Sequence, residues 1–502
     1  MISEPPWTAW RPACCWQLRR PSWRRANPDR TRARDRPQSV RTHRSALVAV
    51  GFVLVGLLAI WLQDVVVPLN TPFWGLFDNQ LDLQVYLDGA RTVLTGGHLY
   101  DAKFLGQMDY TYTPISIFLF APFTWVSFEA ARIIWTAGIF VALYLIVMLS
   151  FKSLGRQATW PLRCIGLSLV AVVLLLEPVR TTIWYGQINV FLLLIIVADL
   201  ARPERSRLYG VGTGIAAGIK LTPLIFVFYL ALLRQWRAVA GVVAGFVGTA
   251  VVGFVALPRE SWSYWTGKLF DSDRVGAPQT PGNQSVRGLL ANLLHSDDPN
   301  GFLWLAFVVA ALALGMYAAV LAHRHGQELL AITIVGMSGC AISPMSWGHH
   351  WVWFVPLVVI GFHMLMTPGR RPGTYVLIAA GLIGLILVAF SWRSYLAHPI
   401  WFVNRTVPDA YLIGLFFKTG IGWLTWFTYY PYNAVFLVTA IATIVVFRRR
   451  ENTVPDTDPA LVVARPAPAD VTATDDIPIR ESPSRDVREA DDSDIEQWQP
   501  RP

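Results

Sequence analysis

Long apolar stretches broken by short polar segments dominate the chain from residue 46 to 447. The first, 46–62, approaches the length needed to span a bilayer, and 65–67 extend it to a full span. Eleven more follow: 130–150, 165–176, 188–200, 209–219, 221–233, 238–257, 302–322, 329–343, 351–366, 375–391 and 432–447. The pattern predicts an all-α polytopic membrane protein with about twelve transmembrane helices. The runs 209–219 and 221–233 are short for a hydrocarbon core of roughly 30 Å. Either their helices extend past the apolar residues, or they end at a polar cavity recessed into the membrane, where irregular backbone is tolerated. The run 114–125 breaks the count and reads as re-entrant or interfacial.

Orientation follows from the basic breaks. Segments 152–163, 202–207, 234–237, 323–325, 370–371 and 448–450 are rich in Lys, Arg or His. All six share the cytoplasmic side with the N-terminal tail if neighbours enclose even numbers of crossings, which the sequence permits. Both termini are then cytoplasmic, in a multi-pass plasma-membrane protein. Segments 70–112, 177–187, Lys220, 258–300, 344–350 and 392–430 face the periplasm, and almost every unusual polar residue lies in this set. These loops are expected to form the active-site cavity.

Composition fits this picture. Of 502 residues, 54% are hydrophobic and 15% charged, and tryptophans cluster at run ends: Trp262, Trp265, Trp347, Trp351 and Trp353. The net charge of +9 does not imply nucleic-acid binding, because it is segregated: residues 1–44 hold eleven Arg against three acids, whereas 451–502 hold five Arg against thirteen. Three regions are expected: a disordered Arg-rich tail (1–44), a membrane domain (45–447) and an acidic disordered tail (448–502). Cys14, Cys15, Cys164 and Cys340 show no zinc spacing and no disulfide framework. The N-terminal region lacks the form of a cleavable signal. With no phosphate-binding glycine loop or nucleophile elbow, a nucleotide-driven transporter or serine hydrolase has no direct support.

Several polar groups can carry chemistry. Asp78 and Asp82 are four apart, on one face if the stretch is helical. One can act as a base on a substrate hydroxyl; a solvated loop helix explains the pair equally well, and no third oxygen ligand marks a metal site. In Ser343-Pro-Met-Ser-Trp-Gly-His349-His350-Trp351 the histidines point about 100° apart if helical, so at most one is expected to face a ligand. Lys220 interrupts two half-length runs, as a phosphate contact or a snorkelling anchor. Arg180 suits bidentate phosphate contact or a local pair with Glu177. Gln187-Ile-Asn189 shares that outer turn. Asn283-Gln284-Ser-Val-Arg287 offers amide and guanidinium donors, and 401–426 reads as an interfacial aromatic helix.

Asp82-Leu-Gln-Val-Tyr86-Leu-Asp-Gly-Ala90, then Leu99-Tyr-Asp101 and Tyr110-Thr-Tyr-Thr-Pro114, resembles the first loop of the GT-C membrane glycosyltransferases. More narrowly it resembles the actinobacterial polyprenol-phosphate-mannose-dependent α-mannosyltransferases. Trp184-Tyr-Gly-Gln-Ile-Asn189, Gly218-Ile-Lys-Leu-Thr-Pro223, Asn283-Gln-Ser285 and the segment from Ser343 to His350 follow in the family's order, and the resemblance covers roughly 46–447. It implies a GT-C fold with a lipid-linked donor, polyprenyl-phosphate-mannose, and an extracytoplasmic site. Asp82 best matches the family's base, with Asp78 in reserve; the His pair matches a position important in relatives, His349 slightly favoured. Topology adds Lys220, Arg180 and Arg287, with Gln187 and Asn189, as donor-phosphate contacts, and Tyr86, Asn283 and Gln284 on the acceptor.

The expected acceptor is a phosphatidylinositol mannoside, receiving its fifth mannose in α-1,2 linkage. A β-linked mannosyl phosphate attacked from the opposite face gives an α product by single inversion, which requires one base and cations on the leaving phosphate, without cofactor or metal. The rivals are a lipomannan mannosyltransferase and a decaprenyl-phosphate-arabinose-dependent arabinofuranosyltransferase. Of another class is a proton-coupled transporter or lipid flippase, against which the chain shows no convincing paired repeat. Oligomeric state is left open.

Overall fold

All twelve apolar runs fold as helices: Gln38–Val66, Phe128–Ser153, Trp160–Val173, Asn189–Leu200, Val211–Ile219, Ile225–Leu232, Trp236–Ala256, Gly301–Arg324, Glu328–Ile342, Phe354–Leu365, Pro372–Ala389 and Pro431–Thr453. The structure, a computed structural model, describes residues 38–66, 69, 75–202, 206–271, 273–280, 282–296, 298–390, 399–400, 405–406 and 430–453. Nearly all of these lie in the compact unit Met1–Glu451; of the second unit, Asn452–Pro502, only the first two residues are described. Most of both tails and most of 401–426 therefore fall outside the described residues, while 38–44 and 448–453 belong to helices. The described β-structure is a two-residue ladder pairing Pro399–Ile400 with Arg405–Thr406 and an isolated antiparallel bridge between Phe104 and Met108.

Helix length does not give twelve crossings. Among the described residues six helices are long and apolar enough to cross a membrane, or seven if Trp160–Val173 and Glu177–Tyr185, bent by 81°, count as one span. Several of the shorter apolar helices, Asn189–Leu200, Val211–Ile219 and Glu328–Ile342, have an end beside residues that line one cavity: Gln187, Lys220 and Ser343. Apolar side chains such as Ile133, Val255 and Phe302 stay exposed on the long helices, as expected for faces turned to lipid. Where helices meet, small residues set the approach. A Cβ added to Gly214 would collide with the backbone carbonyl of Val242, and one on Gly245 with that of Val211. The helices Val211–Ile219 and Trp236–Ala256 thus pack backbone to backbone.

The first loop is a helix, Leu81–Leu94, lying on the short helix Ser116–Phe120 and the 3-10 turn Ala121–Trp125. Tyr86 stacks on Phe120 at 4.7 Å, and Phe120 leans on Trp135 at 5.3 Å. The run 114–125 is therefore a short two-part helix beneath the loop.

This loop helix begins at Leu81, so Asp78 and Asp82 do not share a helical face. Gln80 adopts a left-handed conformation, φ 53°, which turns the chain before the helix starts. Its amide N–H donates to Trp184 O at 2.7 Å and its side chain to Ile183 O at 2.7 Å. Those bonds pin the loop to the helix Glu177–Tyr185, whose C-cap, Gly186, has φ 71°. A Cβ at Gly186 would lie 2.6 Å from Gln80 Oε1 and 2.7 Å from Leu83 Cβ, so only glycine permits this approach.

Candidate active site

A cavity of about 800 Å³ opens where the shortened helices end. Its walls come from the first-loop helix (Asp82, Tyr86), Tyr112, the Glu177–Gln187 turn, Lys220, the segment around Arg274, and the turn from Ser343 to His350. Six of the twelve residues expected to carry chemistry meet here: Asp82, Tyr86, Gln187, Lys220, His349 and His350.

Asp82 anchors one wall. Its Oδ2 accepts from Gln187 Nε2 at 2.5 Å, while Gln187 Oε1 accepts from the Tyr112 hydroxyl at 2.9 Å. The Tyr86 hydroxyl donates to that of Tyr112 at 3.1 Å. Burial pushes the Asp82 carboxyl up to about 6, opposed by the Gln187 hydrogen bond and the Lys220 charge. Burial likewise raises both tyrosines above their ordinary range, so they remain neutral hydroxyl donors.

Lys220 lies opposite in this network, at the C-cap of Val211–Ile219. Its Nζ donates to Asn189 Oδ1 at 2.9 Å, lies 2.8 Å from His350 Nε2, and sits 5.3 Å above the Tyr112 ring. With the ammonium donating, His350 Nε2 is the acceptor. Burial pushes Lys220 down to about 7. An ammonium held only by neutral groups is ready to receive an anion.

The His pair sits in a 3-10 turn, Gly348–Trp351, and both rings line the cavity. The expected divergence assumed an α-helix; the chain here is a 3-10 turn from which both residues border the cavity. His349 is buried against Tyr185, and His350 reaches Lys220. Glu177 braces the turn from behind: Tyr432 Oη donates to it at 2.5 Å, and its carboxylate lies so close to Gly348 that any Cβ there would collide with both oxygens.

Other expected contacts lie off the cavity. Asp78 pairs with Arg132 at 3.2 Å. Arg180 is buried, donating to Phe390 O at 2.8 Å with its guanidinium over the Phe390 ring. Arg287 lies over the Trp304 ring. Asn283 is a loop strut, its Oδ1 accepting from Ser285 N at 3.2 Å and Ser346 N at 3.0 Å. Gln284 is buried and joined through its backbone to Ser346 and Asn433. These residues support the wall, and direct contact from them with a bound substrate is not what their positions favour.

Sequence reasoning missed Tyr112, Tyr185 and Arg274 as cavity residues. Tyr112 lies in the quoted motif Tyr110-Thr-Tyr-Thr-Pro114, which was the signal available for it. Arg274 donates to Tyr110 O at 2.8 Å and stacks on Tyr264, in a segment without distinctive spacing.

A family model described as Glycosyltransferase family 87 matches residues 110–344. The chain is 32% identical over 340 residues to a polyprenol-phosphate-mannose-dependent alpha-(1-2)-phosphatidylinositol mannoside mannosyltransferase of Mycobacterium tuberculosis, covering 63% of this chain and 78% of the relative. The chain belongs to glycosyltransferase family 87. A second relative, a polyprenol-phosphate-mannose-dependent alpha-(1-2)-phosphatidylinositol pentamannoside mannosyltransferase of Mycolicibacterium smegmatis, is 32% identical over 75% of this chain and 89% of its own. An alpha-(1->3)-arabinofuranosyltransferase of Corynebacterium glutamicum is 30% identical over 62% and 71%. No solved structure matches the chain. The family-87 match takes in Tyr112, Gln187, Lys220 and Arg274, while Asp82 and the His pair flank it. The protein is thus a glycosyltransferase, and the transporter reading falls away.

Gly348 is the tightest point of this family-87 site. Gly348→Ala should shift the His turn and lower glycosyl transfer about 10²-fold, the cost of a displacement of about 1 Å. Turnover of monodisperse, detergent-purified protein measures it; near-normal turnover would show that the turn tolerates the methyl group.

Proposed function

We propose that the protein transfers mannose from polyprenyl-phosphate-mannose to a phosphatidylinositol mannoside on the extracytoplasmic side of the membrane. One observation carries the chemistry: a recessed carboxylate, Asp82, and an anion-ready ammonium, Lys220, face the same cavity. Four relatives with mannosyltransferase descriptions support the donor.

The acceptor hydroxyl attacks C1 of the mannosyl phosphate while Asp82 takes its proton. The bond from C1 to the phosphate oxygen breaks, and the polyprenyl phosphate leaves with the electron pair. Lys220, with His350 beside it, takes up the charge that develops there. His349 borders the reacting groups. Tyr86 closes the acceptor side next to the base. One displacement inverts the anomeric carbon, so a β-linked donor yields an α-linked product. The finer assignment is the fourth-to-fifth mannose step with α-1,2 linkage; an alpha-(1-2) linkage stands in the relatives' descriptions, and the step itself is our reading. No step calls for a metal.

For the membrane, the twelve-crossing topology remains the reading favoured by the basic breaks, with both termini cytoplasmic and the cavity periplasmic. A cysteine placed at Arg207 should resist impermeant maleimide on intact cells; rapid labelling would invert the assignment.

Purified protein given polyprenyl-phosphate-mannose and a panel of mannosylated phosphatidylinositols should extend one of them by a single hexose, seen by mass analysis. Transfer from an arabinosyl donor alone would establish the arabinofuranosyltransferase instead. Asp82→Asn should lower kcat by about 10²–10⁴-fold with donor binding retained; near-normal turnover would remove Asp82 as the base.

The two ionisations bracket activity. Asp82 must be deprotonated to accept a proton, so the rate falls as pH drops through about 6. Lys220 must be protonated to hold phosphate, so donor capture falls as pH rises through about 7. The pH profile of kcat/KM for the donor should be bell-shaped between these limits; a flat profile from pH 5 to 8 would contradict both roles.

A further inference from the structure

Gln187 is the point where two hydrogen-bond chains converge. One runs from the Tyr86 hydroxyl to Tyr112 and on to Gln187 Oε1. The other starts at Lys220, which donates to Asn189 Oδ1; Asn189 Nδ2 then points to Gln187 Oε1 at 3.5 Å, the long link in the series. The chemistry of the ends fixes the direction of every amide between them. An ammonium can only donate and an ionised carboxylate can only accept, so both amides must align in one sense. The Gln187 amide is left with its Nε2 toward Asp82. Both side chains are at least nine-tenths buried, so bulk water does not compete for these positions.

We propose that Gln187 and Asn189 are positioning residues forming an amide relay that couples the Asp82 base to the Lys220 ammonium awaiting the donor phosphate. This rests on the mannosyl-transfer reading above. The relay gives the two halves of the reaction a common reference. Gln187 holds the carboxylate in the orientation that meets the acceptor hydroxyl, and Asn189 keeps Gln187 from flipping while steadying Lys220. Serial alignment also strengthens each bond by polarisation. Neither amide needs to touch a substrate. The opposing influences on the Asp82 carboxyl, the Gln187 bond and the Lys220 charge, are the two ends of this relay. Other ionisable groups around the cavity are Glu177, Asp109, Asp271, Arg274, His349 and His350, with the hydroxyls of Tyr86, Tyr112, Tyr185 and Tyr264, and the Cys340 thiol lies near Lys220. All of them are unchanged in the variants that test the idea.

The test is the pH dependence of steady-state mannosyl transfer with polyprenyl-phosphate-mannose and whichever mannosylated phosphatidylinositol of the panel the protein extends. Gln187→Met removes the donor to the carboxylate. It should lower kcat about tenfold and move the acidic limb of kcat upward by about one pH unit, with donor KM within about twofold. Asn189→Ala is the decisive variant, because Asn189 has no bond to Asp82. It should move the same limb in the same direction and also raise donor KM several-fold. Gln187→Met/Asn189→Ala should displace the limb no further than Gln187→Met alone, since the two act in series.

The limb position is read only from folded, active molecules, so partial misfolding lowers the amplitude without imitating the shift. If Asn189→Ala raises donor KM but leaves the limb in place, the relay is overturned. If neither single variant moves the limb, the positioning role of Gln187 falls as well. Failure of the wild-type protein to transfer mannose at all would instead sink the functional reading beneath it.

Discussion

A lysine ammonium recessed into an apolar helical bundle demands compensation, and much of this structure is arranged around meeting that demand at Lys220. A cation at such depth is costly unless it faces a polar cavity with partners in reach. Here the partners are neutral: an asparagine carbonyl oxygen, an imidazole nitrogen and a tyrosine ring face. Neutral partners hold the side chain in place without cancelling its charge. A carboxylate in their position would have formed a closed ion pair with little left to offer a phosphate. The one acid that the network does reach, Asp82, is separated from Lys220 by two amides, so it retains its own role.

That arrangement has structural preconditions far from the lysine. Asp82 points inward because Gln80 turns the chain just before the helix and is held by the carbonyls of residues 183 and 184. Those carbonyls lie at the end of a helix that closes on Gly186, the residue before Gln187. The same nine-residue helix begins at Glu177, which buttresses the His turn through the missing side chain of Gly348. Base, relay and imidazoles are thus registered to one short rigid element, which suits a site that must hold reacting groups to within fractions of an ångström.

Much of this was legible in the sequence, and the limits have physical causes. Hydropathy marks helices well, so every apolar run is helical; it does not say whether a short helix crosses, re-enters or stops at a cavity, and the count of crossings was beyond it. Asp82, Lys220 and the His pair stood out because ionisable groups at span ends are expensive. Arg180 and Arg287 stood out for the same reason and yet face away, because side-chain direction depends on what the opposite helix offers. In their case that was a carbonyl and aromatic rings. The loss of the shared face for Asp78 and Asp82 turned on a single left-handed glutamine, for which no residue-type signal exists. Tyr112 was visible as part of a motif, but its place between two chains of hydrogen bonds is a tertiary fact.

The shortness of the helices and the presence of the site are one feature. Where Val211–Ile219 ends, its last carbonyls lose their helical partners, which is tolerated at membrane depth only beside protein or a polar cavity. The Thr113 hydroxyl meets the freed carbonyl of Gly218 at 2.5 Å, and that of Ile219 at 3.3 Å. Thr113 sits beside Tyr112 in the motif that continues beneath the first-loop helix. The break therefore does three things together: it lets the chain reverse, it places Lys220 at the cavity wall, and it ties that wall to the loop carrying the base. Lengthening this helix to an ordinary span would satisfy the backbone without help, and would replace the cavity wall with a continuous apolar face. The deficit in helix length is the structural condition for having polar chemistry at that depth.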